Sequence, residues 1–253
     1  METYRILLTL RFDGSGFSGW QAQKNGRSVQ TTVQDALAGA LGLRPALTGC
    51  GRTDAGVHAL GYRAHADIPA EFPAERLCPA LNDFFRRNKY AVAAVSARKV
   101  HDKFHARYDI IEKEYVYLIQ NAPYMDPFWE GKALWHKYPL QIEAMAEAAS
   151  YLLGRRNFAS FMASGSRVKP EEAVRTVFSA SVSASGERFI KIGVSADGFL
   201  YNMVRIIAGT LIEVGAGRRL PGDMEGVIAA RERARAGYTA PAHGLYLNRV
   251  EYK

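Results

Sequence analysis

The sequence predicts an α+β protein built from two similar halves. Segments rich in strand-forming residues recur along all 253 residues, and apolar residues at helical spacing separate several of them. No parallel strand–helix–strand unit is evident, and 48% hydrophobic residues are enough for a substantial core. We expect the halves to comprise residues 1–105 and 106–253, although no repeat at the level of residues relates them.

The first half is expected to alternate strands with two helices. Strand formers dominate residues 4–12, 57–68 and 90–100. Thr31 and Gln34 resemble a capping box at the start of the first helix, and Gly42 is expected to end it. The two helices are indicated by apolar residues at helical spacing, namely Val29, Val33, Leu37 and Leu41, and then Leu77, Leu81 and Phe84.

The second half shows the same mixture. Strand character marks residues 106–120, 174–182, 189–194 and 244–252, while residues 204–214 have a helical pattern. A further helix is expected to end at Gly154. Its apolar positions are Ile142, Met145, Ala149 and Leu152.

The net charge indicates a class of binding partner without identifying the partner. Lys and Arg total 33 against 25 Asp and Glu, which gives a formal net charge of +8. A folded, basic protein suggests a polyanionic partner. Nucleic-acid-binding proteins and proteins that bind acidic membranes share this composition, so both classes stay open on charge alone.

Neither a membrane segment nor a metal site is indicated. The first twelve residues lack a signal-peptide pattern, and no apolar run approaches the about 20 residues of a spanning helix, so we expect a cytoplasmic protein. Cys50 and Cys78 do not form a Cys-x-x-Cys unit. His101 and His105 lie four apart but without an evident third ligand, so no metal is expected.

A glycine pattern near the N-terminus suggests a nucleotide site but lacks its context. Gly14, Gly16 and Gly19 match G-x-G-x-x-G after a strand, a motif that requires a helix to begin at once. Residues 20–27 have no helical period and contain the turn signal Asn25-Gly26. A glycine-rich turn with Trp20 packed beneath it is therefore favoured over a nucleotide-dependent oxidoreductase.

The most informative stretch is residues 51–59, Gly-Arg-Thr-Asp-Ala-Gly-Val-His-Ala. It holds Arg52 and Asp54 between glycines just before a strand, where a substrate can approach the backbone closely. In an extended segment the two side chains project to the same side. On spacing alone, an aspartate in such a loop is more often a turn or cap residue than a catalytic one.

This stretch closely resembles the signature segment of the tRNA pseudouridine synthase A family. Further resemblances follow in order along the whole chain. They cover residues 12–14, 19–21, 104–107, 113–117, 199–205 and 244–247.

The resemblance implies an isomerase that converts uridine to pseudouridine in the anticodon stem-loop of tRNA, at about positions 38–40. It assigns the catalytic carboxylate to Asp54. Tyr115 would contact the target base, Arg205 would pair with Asp54, and Arg52 would help to hold the flipped-out nucleotide. The resemblance also implies antiparallel sheets joined around a central basic cleft, helices on the outer face, a homodimer, and no organic cofactor.

Two segments depart from the family pattern. Tyr62-Arg63 stands where Gln-Val is usual, and residues 84–89 replace a shorter segment. Arg86, Arg87 and Lys89 in that second segment could contact an RNA backbone, although such charges are usually only solvated. An RNA-binding protein without catalytic activity is the second hypothesis that the sequence leaves open.

Overall fold

The computed structural model describes residues 2–24 and 26–253. The chain divides into two compact units, residues 1–111 with 247–253, and residues 112–246. The turn predicted at Asn25-Gly26 lies outside the described residues, because Asn25 is not among them. No helix in the described part is long and apolar enough to cross a membrane.

Strands and helices alternate along the described residues. In chain order they are β1 (Thr3–Phe12), α1 (Val29–Leu41), β2 (Thr48–Gly49), β3 (His58–Pro69), α2 (Ala74–Arg87), β4 (Val92–Lys99), β5 (Ile110–Asn121), β6 (Leu134–His136), α3 (Ile142–Ser150), β7 (Gly154–Asn157), β8 (Val174–Ala184), β9 (Phe189–Ala196), α4 (Met203–Gly215), α5 (Asp223–Ala230) and β10 (Leu245–Tyr252).

The first unit is built on strands in the order β4-β1-β3-β10, with the short β2 paired to β3. The pairs β1–β3, β1–β4 and β2–β3 are antiparallel. All residues from Ile6 to Leu10 of β1 are buried, so both faces of the strand are covered, and Leu7 packs with Phe104 and Ala106. α2 packs against β4, and α1 packs against α2.

The second unit has strands in the order β5-β9-β8-β7, and β6 pairs with β5. The pairs β5–β9, β8–β9 and β7–β8 are antiparallel, whereas β5–β6 is parallel. α3 packs against β8, α4 and α5. Most of α4 is buried, from Met203 to Gly215, which makes it the central helix of this unit.

The strands and helices that the sequence predicts are all present, but several bounds and one cap are wrong. β5 begins at Ile110 instead of residue 106, because residues 106–109 form a turn whose N–H groups at Arg107 and Tyr108 donate to His105 Nδ1. The buried aromatic residue of α2 is Phe85, not Phe84. The sequence also missed β2, β6, β7 and α5, so the second unit has three α-helices among its described residues where two were expected.

Ser28, and not Thr31, caps α1. The Ser28 hydroxyl accepts a hydrogen bond from the Thr31 N–H at 3.1 Å. The Ser28 carbonyl also accepts from the Thr32 hydroxyl at 2.9 Å. The helix ends as predicted, with Gly42 in the left-handed region at φ 69°.

Replacing Ser28 with alanine is expected to lower the free energy of unfolding by about 1 kcal/mol, because it leaves a first-turn N–H without its acceptor. Thr31→Ala removes a half-buried hydroxyl that caps no helical N–H, so its effect should be smaller. Urea unfolding of both variants measures the difference. A larger loss for Thr31→Ala would contradict the assignment of Ser28 as the cap.

A polar anchor fixes residues 104–106 on the first unit's sheet. Arg5 makes a bidentate contact with Asp67, at 2.7 and 2.8 Å, and donates to the Phe104 carbonyl at 2.9 Å. The Ala106 N–H donates to Nδ1 of the buried His65 at 3.0 Å. Burial, followed by the nearby Arg5 charge, lowers the pKa of His65 to about 4, so the ring stays neutral and keeps its acceptor.

Stability is expected to fall as the pH drops from about 6.5 to about 4. In this window the unfolded chain protonates His65 at its ordinary pKa while the folded chain does not, a loss on the order of 2 kcal/mol. His65→Asn keeps an oxygen that can accept from Ala106 but cannot titrate. Urea unfolding at several pH values in this range gives the free energy of unfolding, which should fall less steeply with decreasing pH in His65→Asn than in the wild type. An equal pH dependence in the two proteins would contradict the role given to His65.

Candidate active site

The loop of residues 13–20 lies directly against residues 53–57 in the first unit. A Cβ added to Gly14 would overlap the Val57 carbonyl, and one added to Gly19 would stand 2.5 Å from the Thr53 carbonyl. The Trp20 N–H donates to that Thr53 carbonyl at 3.1 Å. The two glycines therefore serve the contact between two backbones, and helix α1 begins only at Val29. This agrees with the structural role that the sequence favoured for them.

Aromatic rings support the same segment from beneath. Trp20 is 2% exposed and stacks on the fully buried Tyr62, with ring centroids 4.0 Å apart. The Tyr62 hydroxyl donates to the Gly51 carbonyl. Gly49 allows this packing, since a Cβ there would stand 2.7 Å from Trp20 ring atoms. Trp20 thus packs where the sequence predicted, and Tyr62 ties the start of the Asp54 segment to β3.

His58 anchors the other end of the segment. Its ring is buried, and Nδ1 accepts a hydrogen bond from the Gly14 N–H at 3.0 Å. Asp13 Oδ1 lies 3.1 Å from the same nitrogen and accepts from the Ser15 N–H at 2.9 Å. Because Nδ1 accepts the hydrogen bond from the Gly14 N–H, the Asp13 contact joins two acceptors and is not an ion pair when the ring is neutral. His58 acts here as a structural anchor of the glycine-rich loop.

Asp54 lies at the accessible side of this supported segment. Its carbonyl accepts from the Val57 N–H at 3.2 Å, which closes a tight turn. Arg52 is exposed, Thr53 is 7% exposed and Asp54 is half-buried. That alternation agrees with the prediction that Arg52 and Asp54 project to one side and Thr53 to the other. The arrangement presents a carboxylate on a backbone fixed at both ends.

Thr53 carries an unsatisfied group. Its hydroxyl is buried and has no hydrogen-bond partner in the structure. Such a group is uncommon in folded proteins and costs roughly 1–3 kcal/mol. Thr53 lies directly beside Asp54 in sequence.

Tyr115 and Arg205 both belong to the second unit. Tyr115 lies on β5 opposite Val194 of β9 and is half-buried. Its ring meets Phe199 edge to face, with centroids 5.1 Å apart. Tyr115 is therefore not a fully buried core residue, and Phe199 supports its ring.

Arg205 is held in a fixed orientation in the first turn of α4. Its Nε donates to the Ala240 carbonyl at 2.7 Å, and its Nη1 donates to Asn202 Oδ1 at 2.9 Å. Asn202 precedes the helix in the left-handed region at φ 59°. The residues that flank Arg205, Val204 and Ile206, are buried. A guanidinium with two of its nitrogens already engaged is pre-oriented, so less freedom is lost when it meets an anion.

Comparison with known proteins identifies the family. A family model described as tRNA pseudouridine synthase matches residues 148–253. The tRNA pseudouridine synthase A of Ruminiclostridium cellulolyticum is 40% identical over 98% of this chain and 99% of its own length. That of Moorella thermoacetica is 46% identical over the same shares. The chain belongs to the tRNA pseudouridine synthase A family.

Among solved structures, a chain from a Cbf5-Nop10-Gar1 complex aligns with 95% of this chain and 57% of its own length. The TM-score is 0.37 and the identity is 13%. These values are too low to support a conclusion about fold or activity. Membership of the tRNA pseudouridine synthase A family rests on the full-length relatives alone.

The structure shows residues that support the predicted site residues and that sequence reasoning missed. Arg52 and Asp54 are brought together in the first unit, and Tyr115 and Arg205 each lie in the second. Tyr62 was noted only as a departure from the family pattern, and Asn202 was not considered. An asparagine directly before an apolar helix is a cap signal that could have drawn attention to Asn202.

No metal centre is found in the described part of this synthase. Residues 2–24 and 26–253 contain no group of three His, Cys, Asp or Glu side chains placed to hold an ion. His101 and His105 lie outside the helices, so the helical-face argument for a shared ligand site does not apply to them.

Gly14→Ala is expected to destabilise the protein by about 1–3 kcal/mol, because the new methyl group overlaps the Val57 carbonyl and forces the two loops apart. Gly16→Ala is the matched control in the same loop, since a Cβ there has open space. Thermal unfolding gives the difference, and amide hydrogen exchange reports whether residues 53–57 loosen. Equal stabilities for the two variants would refute the close approach.

Proposed function

We propose that this protein isomerises uridine to pseudouridine in tRNA, with Asp54 as the catalytic carboxylate. The observation that carries the proposal is the position of Asp54, half-buried at the accessible side of a segment that is fixed from beneath. Membership of the tRNA pseudouridine synthase A family supplies the reaction and the substrate class. A carboxylate held this rigidly is suited to act on a reacting centre without rearranging.

The reaction needs a charged side chain and no added reactant. The bond between the ribose and the base nitrogen breaks, a bond from the ribose to carbon five of uracil forms, and one proton moves from that carbon to the freed nitrogen. A carboxylate is ionised at neutral pH, so it can attack without first losing a proton. Attack at the sugar and attack at the base both use this property.

Three further side chains have proposed roles. Arg205 would pair with Asp54 and orient it, which its fixed contacts to Ala240 and Asn202 support. Tyr115 would stack on the target base or assist loss of its proton, and its edge-to-face support by Phe199 fits that role. Arg52, exposed beside Asp54, would hold the nucleotide after it leaves its stack.

The finer features of the proposal rest on the family resemblance. They are a target on the 3′ side of the anticodon stem-loop, a homodimer, a cytoplasmic location and a basic cleft between two halves with helices outside. Recognition of RNA by shape and backbone would suit the stem, because the deep groove of A-form RNA hides its base edges. The net charge of +8 is in keeping with a backbone-binding protein.

Asp54→Asn should abolish pseudouridine formation on unmodified tRNA transcripts, a fall of at least roughly 1,000-fold, since the amide cannot carry the charge or attack. Binding of the transcript should persist. Asp35→Asn is the control, because Asp35 is an exposed carboxylate paired with Arg44 on the surface. Equal product from Asp54→Asn and the wild type would refute the role of Asp54. Wild-type protein that binds tRNA and forms no product would instead favour an RNA-binding protein without catalytic activity.

Arg205→Gln should lower turnover by about 100-fold and change tRNA affinity less than about 3-fold, because the lost contact orients the carboxylate and does not grip the RNA. Asn202→Ala removes one contact of Arg205 and leaves its bond to the Ala240 carbonyl, so its effect on turnover should be smaller. Single-turnover rates and filter-binding affinities separate the two quantities. Unchanged turnover in Arg205→Gln would contradict the pairing.

A further inference from the structure

One face of the first unit's sheet carries a group of arginines that the proposed chemistry does not use. Thr9 of β1 lies opposite Arg63 of β3 and opposite Ser96 of β4. Leu7 lies opposite Arg98 of β4. Directly paired residues share a face, so Arg63 and Arg98 point to the same side of the sheet, from the two strands that flank β1.

Only some of the hydrogen-bond donors of the Arg63 guanidinium group have partners in the protein. Its Nη1 donates to the Thr9 hydroxyl, which also accepts from the Ser96 hydroxyl at 2.8 Å. Its Nε is buried and has no hydrogen-bond partner. A buried donor on a cation is costly to leave unpaired. The guanidinium is therefore fixed at one nitrogen and still lacks an acceptor at another.

No carboxylate among the described residues pairs with either arginine. The acid on this face of β3, Asp67, is occupied by Arg5, and Asp109 accepts from the His105 N–H. Burial raises the pKa of the Tyr252 hydroxyl, and the charges of Arg63 and Arg98 both oppose that rise, which places both guanidinium groups in its neighbourhood. The Asp109 carboxylate acts on the same hydroxyl, so this region holds two cations that have no salt-bridge partner among the described residues and one acid near them.

We propose that Arg63 and Arg98 together bind a phosphodiester group of the RNA backbone. Guanidinium groups match phosphate oxygens in geometry and charge, and Arg98 is exposed and Arg63 half-buried on the same face of the sheet. Arg63 stands where the family pattern has an uncharged residue, so this contact would be a feature of this chain. The inference rests on the proposed tRNA substrate.

Salt dependence of tRNA binding tests the site, because each phosphate contact releases counterions. Arg63→Gln and Arg98→Gln should each weaken the affinity for a tRNA transcript about 3- to 10-fold. Each should also reduce the slope of log affinity against log salt by about 0.7–0.9. Arg44→Gln, which makes the same change in net charge at a surface ion pair with Asp35, should leave the slope unchanged.

Arg63→Val is the second variant, since valine suits a strand and offers no donor to a phosphate. The site would be overturned if the slope of log affinity against log salt stayed at its wild-type value in Arg63→Gln, Arg63→Val and Arg98→Gln. It would also be overturned if Arg44→Gln reduced that slope by the same amount. A loss of stability in urea without a change of slope would show a purely structural arginine and also overturn it. Wild-type protein without salt-dependent affinity for tRNA would instead contradict the proposed substrate itself.

Discussion

The close approach of two backbones is the constraint on which the candidate site depends. Residues 13–20 lie so near residues 53–57 that Gly14 and Gly19 have no room for a Cβ. The same approach allows the hydrogen bond from Trp20 to the Thr53 carbonyl and the anchoring of Gly14 by His58. A loop held by backbone contacts keeps its shape without relying on flexible side chains.

In the proposed reaction, rigidity beneath the Asp54 carboxylate would have a chemical purpose. Flipping a nucleotide out of a stem costs a few kcal/mol, and the protein must offset that cost with contacts already in position. In the first unit, Trp20 stacks on Tyr62. In the second unit, hydrogen bonds to the Ala240 carbonyl and to Asn202 orient Arg205. The same segment contains a destabilising feature, the buried Thr53 hydroxyl without a hydrogen-bond partner.

Local pattern predicted much of the fold, and failed where tertiary contacts decide. Strand-forming residues located β1 and helical spacing located α4. The cap of α1 was misplaced by three residues because serine and threonine both suit a cap and only the packed structure selects Ser28. Residues 106–109 have strand-like composition, yet the buried His65 and the side chain of Asp109 hold that region in a turn.

The candidate site was predictable only through family resemblance, because an aspartate between glycines has several ordinary uses. We infer above all that the close approach of the two loops positions Asp54. Single-turnover pseudouridine formation in Gly19→Ala and Gly42→Ala tests this inference most directly. Both glycines have positive φ, but only Gly19 meets another backbone. The account predicts a fall of about 100-fold for Gly19→Ala and a near wild-type rate for Gly42→Ala. A wild-type rate in folded Gly19→Ala would contradict it.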